Sequence, residues 1–203
     1  RPDTAVIPVE LVAGRETVAE AQVQSQLVPC RPSTEVDIDG DRTDWGEPNA
    51  RIRDRADILP PDPNVGWNGP DDLSLDLHWG WTADAFVLAV RVRDDTHATP
   101  HTGHGSFWKS DSIQIAFDVR NDAPDSANFA DNDREFGVLL TPEGAAAFQT
   151  FPQSRRVSFP CAARRTGQDT IYELSIPWNA LGIEPAEGTA FGFNVIANDN
   201  DGH

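Results

Sequence analysis

The segment from Phe107 to Asp118 combines an aromatic side chain with alternating apolar and polar residues. Trp108 precedes a stretch of period two, which predicts a β-strand with one face in a core. Gln114 then points away from that core. An indole ring beside an outward-facing amide suits a sugar, because the ring packs on a pyranose while the amide hydrogen-bonds its hydroxyl groups. The residues expected to face the core are Ile113, Ile115 and Phe117.

Further polar residues fall at outward positions of other predicted strands, namely Asp76, His78, Arg91, Gly137 and Asn194. If these strands are neighbours, the side chains form one polar floor under Trp108; otherwise they belong to a solvated sheet face. Asp111 lies between Trp108 and its strand. The predicted carbohydrate-binding residues are Trp108, Asp111, Gln114, His78, Arg91, Asn194 and Trp81.

The remaining tryptophans are assigned by their phase. Trp79 is in phase with the leucines of its strand, and Trp178 ends an apolar strand. We expect both to serve the core, together with Trp45. Trp67 and Trp81 lie in or near loops, where they either form a second aromatic plate or anchor the loop.

Acidic residues dominate the charge, with 33 Asp and Glu against 16 Lys and Arg and a net charge of −17. The basic residues are scattered, which disfavours nucleic acid phosphates and anionic lipid surfaces. We therefore expect neither nucleic acid nor membrane as a partner. An acidic surface is compatible with calcium sites, a saline habitat or simple solubility.

Several groups of acids offer the clustered oxygens that hard cations prefer. None has the spacing of an EF-hand, and the spacing of His97, His101 and His104 is not that of a zinc motif. The candidate metal ligands are Asp37, Asp39, Asp41, Asp94, Asp95, Asp131 and Asp133, with the run 198–201 as a further group.

Catalysis finds little support in the sequence. A glycosidase needs two carboxylates at a defined separation, but acids are so common here that pairs carry no information. The sequence contains no GxSxG motif, no Cys–His dyad spacing and no phosphate-binding loop. We therefore expect a protein that is not an enzyme.

Short alternating segments separated by turn residues recur along the chain, which contains 16 Pro and 15 Gly. They predict an all-β fold, an antiparallel β-sandwich of jelly-roll-like form with an immunoglobulin-like overall architecture. We expect residues 1–34 to form lead-in strands and a linker, or the end of a preceding β-domain, and residues 35–203 to form the sandwich.

Six segments in order resemble the family 9 carbohydrate-binding modules and their wider β-sandwich superfamily. They are the Ile38–Asp41 turn with Trp45, the strands around Leu77–Trp81 and Phe86–Val90, the segment Trp108–Asp118, the strand from Asp133, the segment Tyr172–Trp178, and Phe191–Asp199. The resemblance implies a non-catalytic sugar-binding module with structural calcium. It implies an accessory domain of a secreted polysaccharide-active protein, extracellular, periplasmic or at the cell surface. Its partners would be a polysaccharide or oligosaccharide and other domains of the same protein.

Two cysteines, Cys30 and Cys161, allow one pairing. They form a disulfide in a secreted chain or remain two buried thiols in a cytosolic one. The resemblance to secreted modules favours the disulfide.

Two other functions compete with sugar binding. Gly137 stands where well-known sugar-binding members carry an arginine, so the sandwich could be a spacer or a docking module that has lost its sugar site. A haem-binding relative is the second alternative, disfavoured because such domains use Met and His as axial ligands and this chain has no Met.

Overall fold

The protein is an all-β sandwich in a computed structural model. The structure describes residues 30–33, 36–53, 67–122 and 129–201, and the backbone of 4–13 and 16–26. Two strands near the start of the chain, β1 (Thr4–Ala13) and β2 (Glu16–Gln26), pair only with each other. Within these described parts, no helix is long and apolar enough to cross a membrane.

Two five-stranded antiparallel sheets form the sandwich, as predicted. The first sheet has the order β10-β11-β5-β4-β3 and the second has the order β12-β6-β7-β8-β9. In the first sheet the strands are β3 (Ala50–Ile52), β4 (Leu73–Trp81), β5 (Ala85–Asp94), β10 (Cys161–Thr166) and β11 (Asp169–Pro177). In the second they are β6 (Ser112–Asp118), β7 (Arg134–Thr141), β8 (Gly144–Phe151), β9 (Arg155–Arg156) and β12 (Gly192–Asn198). A short helix α1 (Trp178–Leu181) connects β11 towards β12.

The core lies between the sheets and follows the predicted alternation. Ile113, Ile115 and Phe117 are almost fully buried in it, as are Trp79 and Trp178. Side chains at the intervening positions of the same strands point to the outer faces. Burial on one face of each strand therefore fixes the strand register.

Each sheet also carries a small apolar cluster on its outer face. On the first sheet, Trp45 packs on Val87 and Ala89, so Trp45 is buried but lies outside the central core. On the second sheet, Phe107 packs with Leu139, Ala146 and Phe148. Two loops therefore cover parts of the outer faces, and the second of these loops carries Trp108.

The sandwich includes residues that precede the predicted boundary. Trp81 donates its backbone N–H to the carbonyl of Arg31 at 3.1 Å, and Ser33 donates to the carbonyl of Trp81 at 2.8 Å. Cys30 packs against the core. The segment 31–33, read from the sequence as a linker, thus extends the edge of the first sheet. Most of the loop predicted over 54–72 lies outside the described residues.

The structure has Cys30 and Cys161 as free thiols, in contrast to the predicted disulfide. Cys161 begins β10 at one edge of the first sheet, whereas Cys30 adjoins the segment beside β4 at the other edge. Four strand spacings separate those edges, about 19 Å, but a disulfide needs Cα atoms within about 7 Å. Burial raises the pKa of Cys30 to about 11 and also raises that of Cys161.

Candidate functional site

The loop between β5 and β6 is anchored on the second sheet by Phe107. A Cβ atom at Gly137 would lie 2.0 Å from Cζ of Phe107, so the ring rests directly on the glycine backbone. Phe107 is 1% exposed. The absence of a side chain at Gly137 is therefore what allows this ring to lie flat on β7.

Hydrogen bonds hold the same loop against β6 and the end of β12. Ser110 is fully buried, and its hydroxyl accepts the backbone N–H of His101 at 2.8 Å. Asp111 accepts the backbone N–H of Asn200 at 2.6 Å through Oδ1 and that of Ala98 through Oδ2. Asn200 also donates its side-chain amide to the carbonyl of Lys109. Asp111 is thus a buried support of the loop rather than an exposed contact.

Trp108 is held out from this anchored loop and is 51% exposed. It lies in the single 3-10 turn Phe107–Lys109, between the buried Phe107 and the carbonyl bonded by Asn200. The ammonium group of Lys109 lies 5.1 Å from the centre of the indole ring. A fixed, exposed indole is suited to stacking on an apolar ligand face.

Three polar side chains form a connected row on β6 and β12, and Ser112 joins this row to the Trp108 turn by donating to the carbonyl of Phe107 at 3.2 Å. Gln114 donates through Nε2 to Oδ1 of Asn198 at 3.1 Å, and Asn198 donates through Nδ2 to Oγ of Ser112 at 2.9 Å. Among the described residues, Oε1 of Gln114 accepts no hydrogen bond. The row therefore fixes the amide of Gln114 with an acceptor available for a ligand hydroxyl.

Next to this row, none of the loops that the structure describes packs over the outer face of the second sheet. Asn194 pairs with Ala116, and Ile196 pairs with Gln114, so all four share that face. Ile196 is 44% exposed and Asn194 is exposed. We call this surface the open face; its outward residues are Gln114, Ala116, Glu135, Asn194 and Ile196.

The structure does not join the predicted polar floor into one surface. His78 and Arg91 lie on β4 and β5 of the first sheet, whereas Gln114, Gly137 and Asn194 lie on the second. His78 is 2% exposed and faces Trp45 edge-on, and burial lowers its pKa. Arg91 is paired with Asp76 at 3.0 Å and Asp169 at 2.9 Å.

The two loop tryptophans, Trp81 and Trp67, do not add to the open face. Trp81 lies far from it, and Trp67 is hydrogen-bonded within its own loop. Trp81 is 37% exposed at the end of β4, eight residues from Leu73. Because Leu73 lines the same crevice as Ser112 and Asn198, Trp81 is about 26 Å away, towards the opposite end of the sandwich. Trp67 donates its indole N–H to the carbonyl of Leu73 at 2.9 Å and so anchors its loop.

One group of buried side chains could hold a metal ion. Asp94, His97 and Asp111 offer ligand atoms that all lie within 4.8 Å of one another. Nδ1 of His97 lies 3.4 Å from Oδ2 of Asp111, and both ring nitrogens are buried without a hydrogen-bond partner among the described residues. A buried imidazole without partners fits a metal that accepts mixed nitrogen and oxygen ligands. Burial raises the pKa of Asp111 to about 6, and the charge of Asp94 acts in the same direction.

A second acidic group lies beside the first. Asp72, Asp95 and Asp201 also offer ligand atoms within 4.8 Å of one another. Asp199 stands among these acids: partial burial of its carboxyl group and then the charges of Asp201, Asp94, Asp111 and Asp72 raise its pKa to about 7, although the residue as a whole is exposed. This group is made of carboxylates alone, the ligand type that Ca²⁺ prefers. Of the predicted acidic groups, the structure thus joins 94–95 with the run 198–201.

The acidic turn near the start of the sandwich has a different role. The backbone N–H groups of Asp39 and Gly40 donate to Oε2 of Glu173 at 2.8 and 2.6 Å, and Trp45 donates its indole N–H to Oε1 at 2.8 Å. The turn therefore presents donors to a buried carboxylate. Asp41 is paired with Arg164 at 2.8 Å.

The other predicted metal ligands are not gathered into a group of three within the described ranges. Asp37 donates its backbone N–H to Asp44 at 2.7 Å. Asp133 accepts the N–H of Ala130 at 2.7 Å, and Asp131 lines a separate polar pocket with Arg134. His104 contacts Ser154 at 2.8 Å, so the three histidines of this loop do not converge either.

Three residues that build the surface around Trp108 were not among the predicted carbohydrate-binding residues. Asn198 and Ile196 share the parity of Asn194, so strand alternation could have placed them on the open face. Strand alternation could not have identified Phe107, because its contact with Gly137 depends on the path of the loop.

Comparisons with known proteins agree with this architecture. The family model described as "Carbohydrate family 9 binding domain-like" matches residues 62–203. A family 9 module from Caldicellulosiruptor kristjanssonii in complex with glucose aligns with TM-score 0.55 and 17% identity, over 86% of this chain and 79% of that chain. The module from that organism in complex with cellotriose aligns with TM-score 0.57 and 16% identity, over 85% and 76%. At these identities the likeness concerns the fold.

No curated protein sequence matches the chain. The family match covers most of the described sandwich, including Trp108, the open face and both acidic groups. The chain therefore belongs to the carbohydrate family 9 binding domain-like family, a family of non-catalytic modules.

Proposed function

We propose that the protein is a carbohydrate-binding module that holds a neutral oligosaccharide on the open face beside Trp108. The observation that carries the proposal is the exposed indole of Trp108 in a turn that Ser112 joins, through the carbonyl of Phe107, to the row of side chains that fixes the amide of Gln114. The family match and the fold shared with modules in complex with glucose and cellotriose support it.

Two groups would make the main contacts with the sugar, namely the indole of Trp108 and the amide of Gln114. The sugar ring would stack on the indole, because its C–H groups face the electron-rich aromatic surface. A hydroxyl would then donate to Oε1 of Gln114, whose orientation is already set by Asn198 and Ser112. Since the side chains are ordered before the ligand arrives, binding loses little side-chain entropy. Asn194 offers a further amide on the same surface.

A structural calcium ion at Asp72, Asp95 and Asp201 is part of this proposal. Calcium would relieve the repulsion among these acids and the neighbouring Asp199. The same end of the sandwich holds Asn200, which bonds the loop at Lys109 and Asp111, directly after Trp108. Calcium would therefore stabilise the loop that presents the indole. At the neighbouring group, His97 would suit a metal with nitrogen ligands better than calcium.

The cellular setting is likewise proposed. Polysaccharides occur largely outside cells, so we propose that the module is secreted and serves as an accessory domain beside a polysaccharide-active domain.

Titration of the purified protein with glucose and cellotriose tests the proposal. We expect binding in the wild type and a loss of at least tenfold in Trp108→Ala, as for other central aromatic anchors. Trp81→Ala is the matched control, because it removes an exposed tryptophan at the opposite end. Equal affinities of the wild type and Trp108→Ala would refute the placement of the site. A folded wild type that binds no sugar would favour a spacer or docking module.

A further inference from the structure

A second aromatic surface lies on the same outer face as Trp108. Phe129 and Phe151 stack with ring centres 4.8 Å apart and an angle of 19° between their planes. Phe129 is 43% exposed, and Phe151 is half-buried beneath it. Trp108 and Phe129 are thus both large, exposed aromatic side chains.

Strand register places this pair on the open face. Ala116 pairs with Glu135, and Glu135 pairs with Phe151 beyond a β-bulge at Glu135/Phe136. The bulge adds one residue to β8 and so reverses its alternation, which brings Phe151 into the row of Ala116 and Glu135. Glu135 and Gly137 share the outward side of β7, and Gly137 carries the Phe107 ring. Phe151 therefore points outward, and Phe129 lies against it.

The distance between Gln114 and the phenylalanine pair exceeds one sugar unit. Phe151 lies two strands from Ala116, about 10 Å, and Gln114 lies one row further along β6, about 7 Å. The Cα atoms of Gln114 and Phe151 are therefore about 12 Å apart. Glu135 lies between them, and its carboxylate accepts a hydrogen bond from Thr150.

We propose that the Phe129–Phe151 pair is a distal subsite for an oligosaccharide chain that crosses the open face from Trp108. This inference rests on the proposed function. A chain of several neutral sugars offers an apolar ring face at intervals and hydroxyls between them, which matches two aromatic surfaces separated by polar groups. The ligand class is therefore a linear oligosaccharide longer than a disaccharide, and affinity rises with chain length.

The test compares glucose with cellohexaose, six β-1,4-linked glucose units, on five forms of the purified chain. They are the wild type, Phe129→Ala, Phe129→Leu, Trp108→Ala and Trp81→Ala. We expect Phe129→Ala to weaken cellohexaose binding about threefold to tenfold and to leave glucose binding unchanged. Phe129→Leu keeps an apolar side chain without the ring, and we expect most of the same loss. Trp81→Ala should match the wild type for both ligands.

The outcomes separate this inference from the function on which it rests. A Phe129→Ala variant with wild-type affinity for cellohexaose, while Trp108→Ala loses it, overturns the distal subsite alone. Equal losses for glucose and cellohexaose also overturn it, because a disturbed fold would weaken both. A wild type that binds neither sugar overturns the proposed function and the subsite together. Thermal unfolding of each variant shows that the fold is intact.

Discussion

The contact between Gly137 and Phe107 predicts how the Trp108 loop responds to one added methyl group. In Gly137→Ala, the new Cβ would lie 2.0, 2.3 and 2.7 Å from Cζ, Cε2 and Cε1 of Phe107. Real Cβ atoms essentially never approach other atoms so closely, and three ring atoms are involved at once. The ring must therefore leave its position, and the neighbouring Trp108 must move with it.

The magnitude follows from the burial of the ring. Overpacking a well-packed site costs about 1–3 kcal/mol, and exposing a buried phenylalanine costs about 1.5–3 kcal/mol. The Phe107 ring can avoid the overpacking only by moving out and becoming exposed. We therefore expect Gly137→Ala to lower the free energy of unfolding by about 2–3 kcal/mol. For a chain of this size that is a fall in Tm of roughly 4–12 °C.

Urea and thermal denaturation, combined with sugar titration, measure the effect. The matched control is Gly105→Ala in the same loop, where an added Cβ meets nothing within 4 Å and which should be close to neutral. Phe107→Ala alone should cost about 3–5 kcal/mol. In that background Gly137→Ala should cost almost nothing, because the clash partner is gone. Additive losses in the double variant, or an unchanged Tm in Gly137→Ala, would show that the ring does not rest on Gly137.

Three further predictions concern other parts of the chain. Glu173→Gln places an amide N–H₂ against N–H donors, so we expect a loss of about 2–3 kcal/mol in urea denaturation, and an unchanged midpoint would contradict the arrangement. The pKa of Asp111 is raised from 3.8 to about 6, so the folded protein holds its proton longer than the unfolded chain; in chelator, stability should fall as pH rises from about 4 to about 6. Asp111→Asn should remove that part of the slope, whereas an identical slope in both proteins would argue against a buried, protonatable Asp111. In the unfolded, unreduced protein Cys30 and Cys161 should both react with a thiol reagent, and a mass without two adducts would indicate a bond between them.

The fold was largely predictable because its signal is local. Alternation along β5 and β6 reports directly which residues face the core, and the burial of Ile113 and Ile115 agrees with it. Turn residues between the strands then limit the chain to an antiparallel sandwich. Brief elements such as β3 and α1 were not predicted, because they are too short to carry a period.

For the candidate site, the sequence could predict which side chains of one strand share a face, but not which strands lie together. Parity placed Gln114 and Asn194 outward, but it could not say that His78 and Arg91 belong to the other sheet, because sheet membership depends on long-range pairing. It also could not show that an outward position such as His78 is covered by a loop. The acidic groups illustrate the same limit, since Asp72, Asp95 and Asp201 meet only through the fold. Composition could suggest calcium, but not which acids would share it.

The most direct test of the central claim is calorimetric titration of the purified wild type and Trp108→Ala with cellotriose, with Trp81→Ala alongside. The account predicts binding in the wild type and in Trp81→Ala, and at least a tenfold loss in Trp108→Ala with an unchanged Tm. Binding that survives in Trp108→Ala but disappears in Trp81→Ala would contradict it, and would move the sugar site to the opposite end of the sandwich.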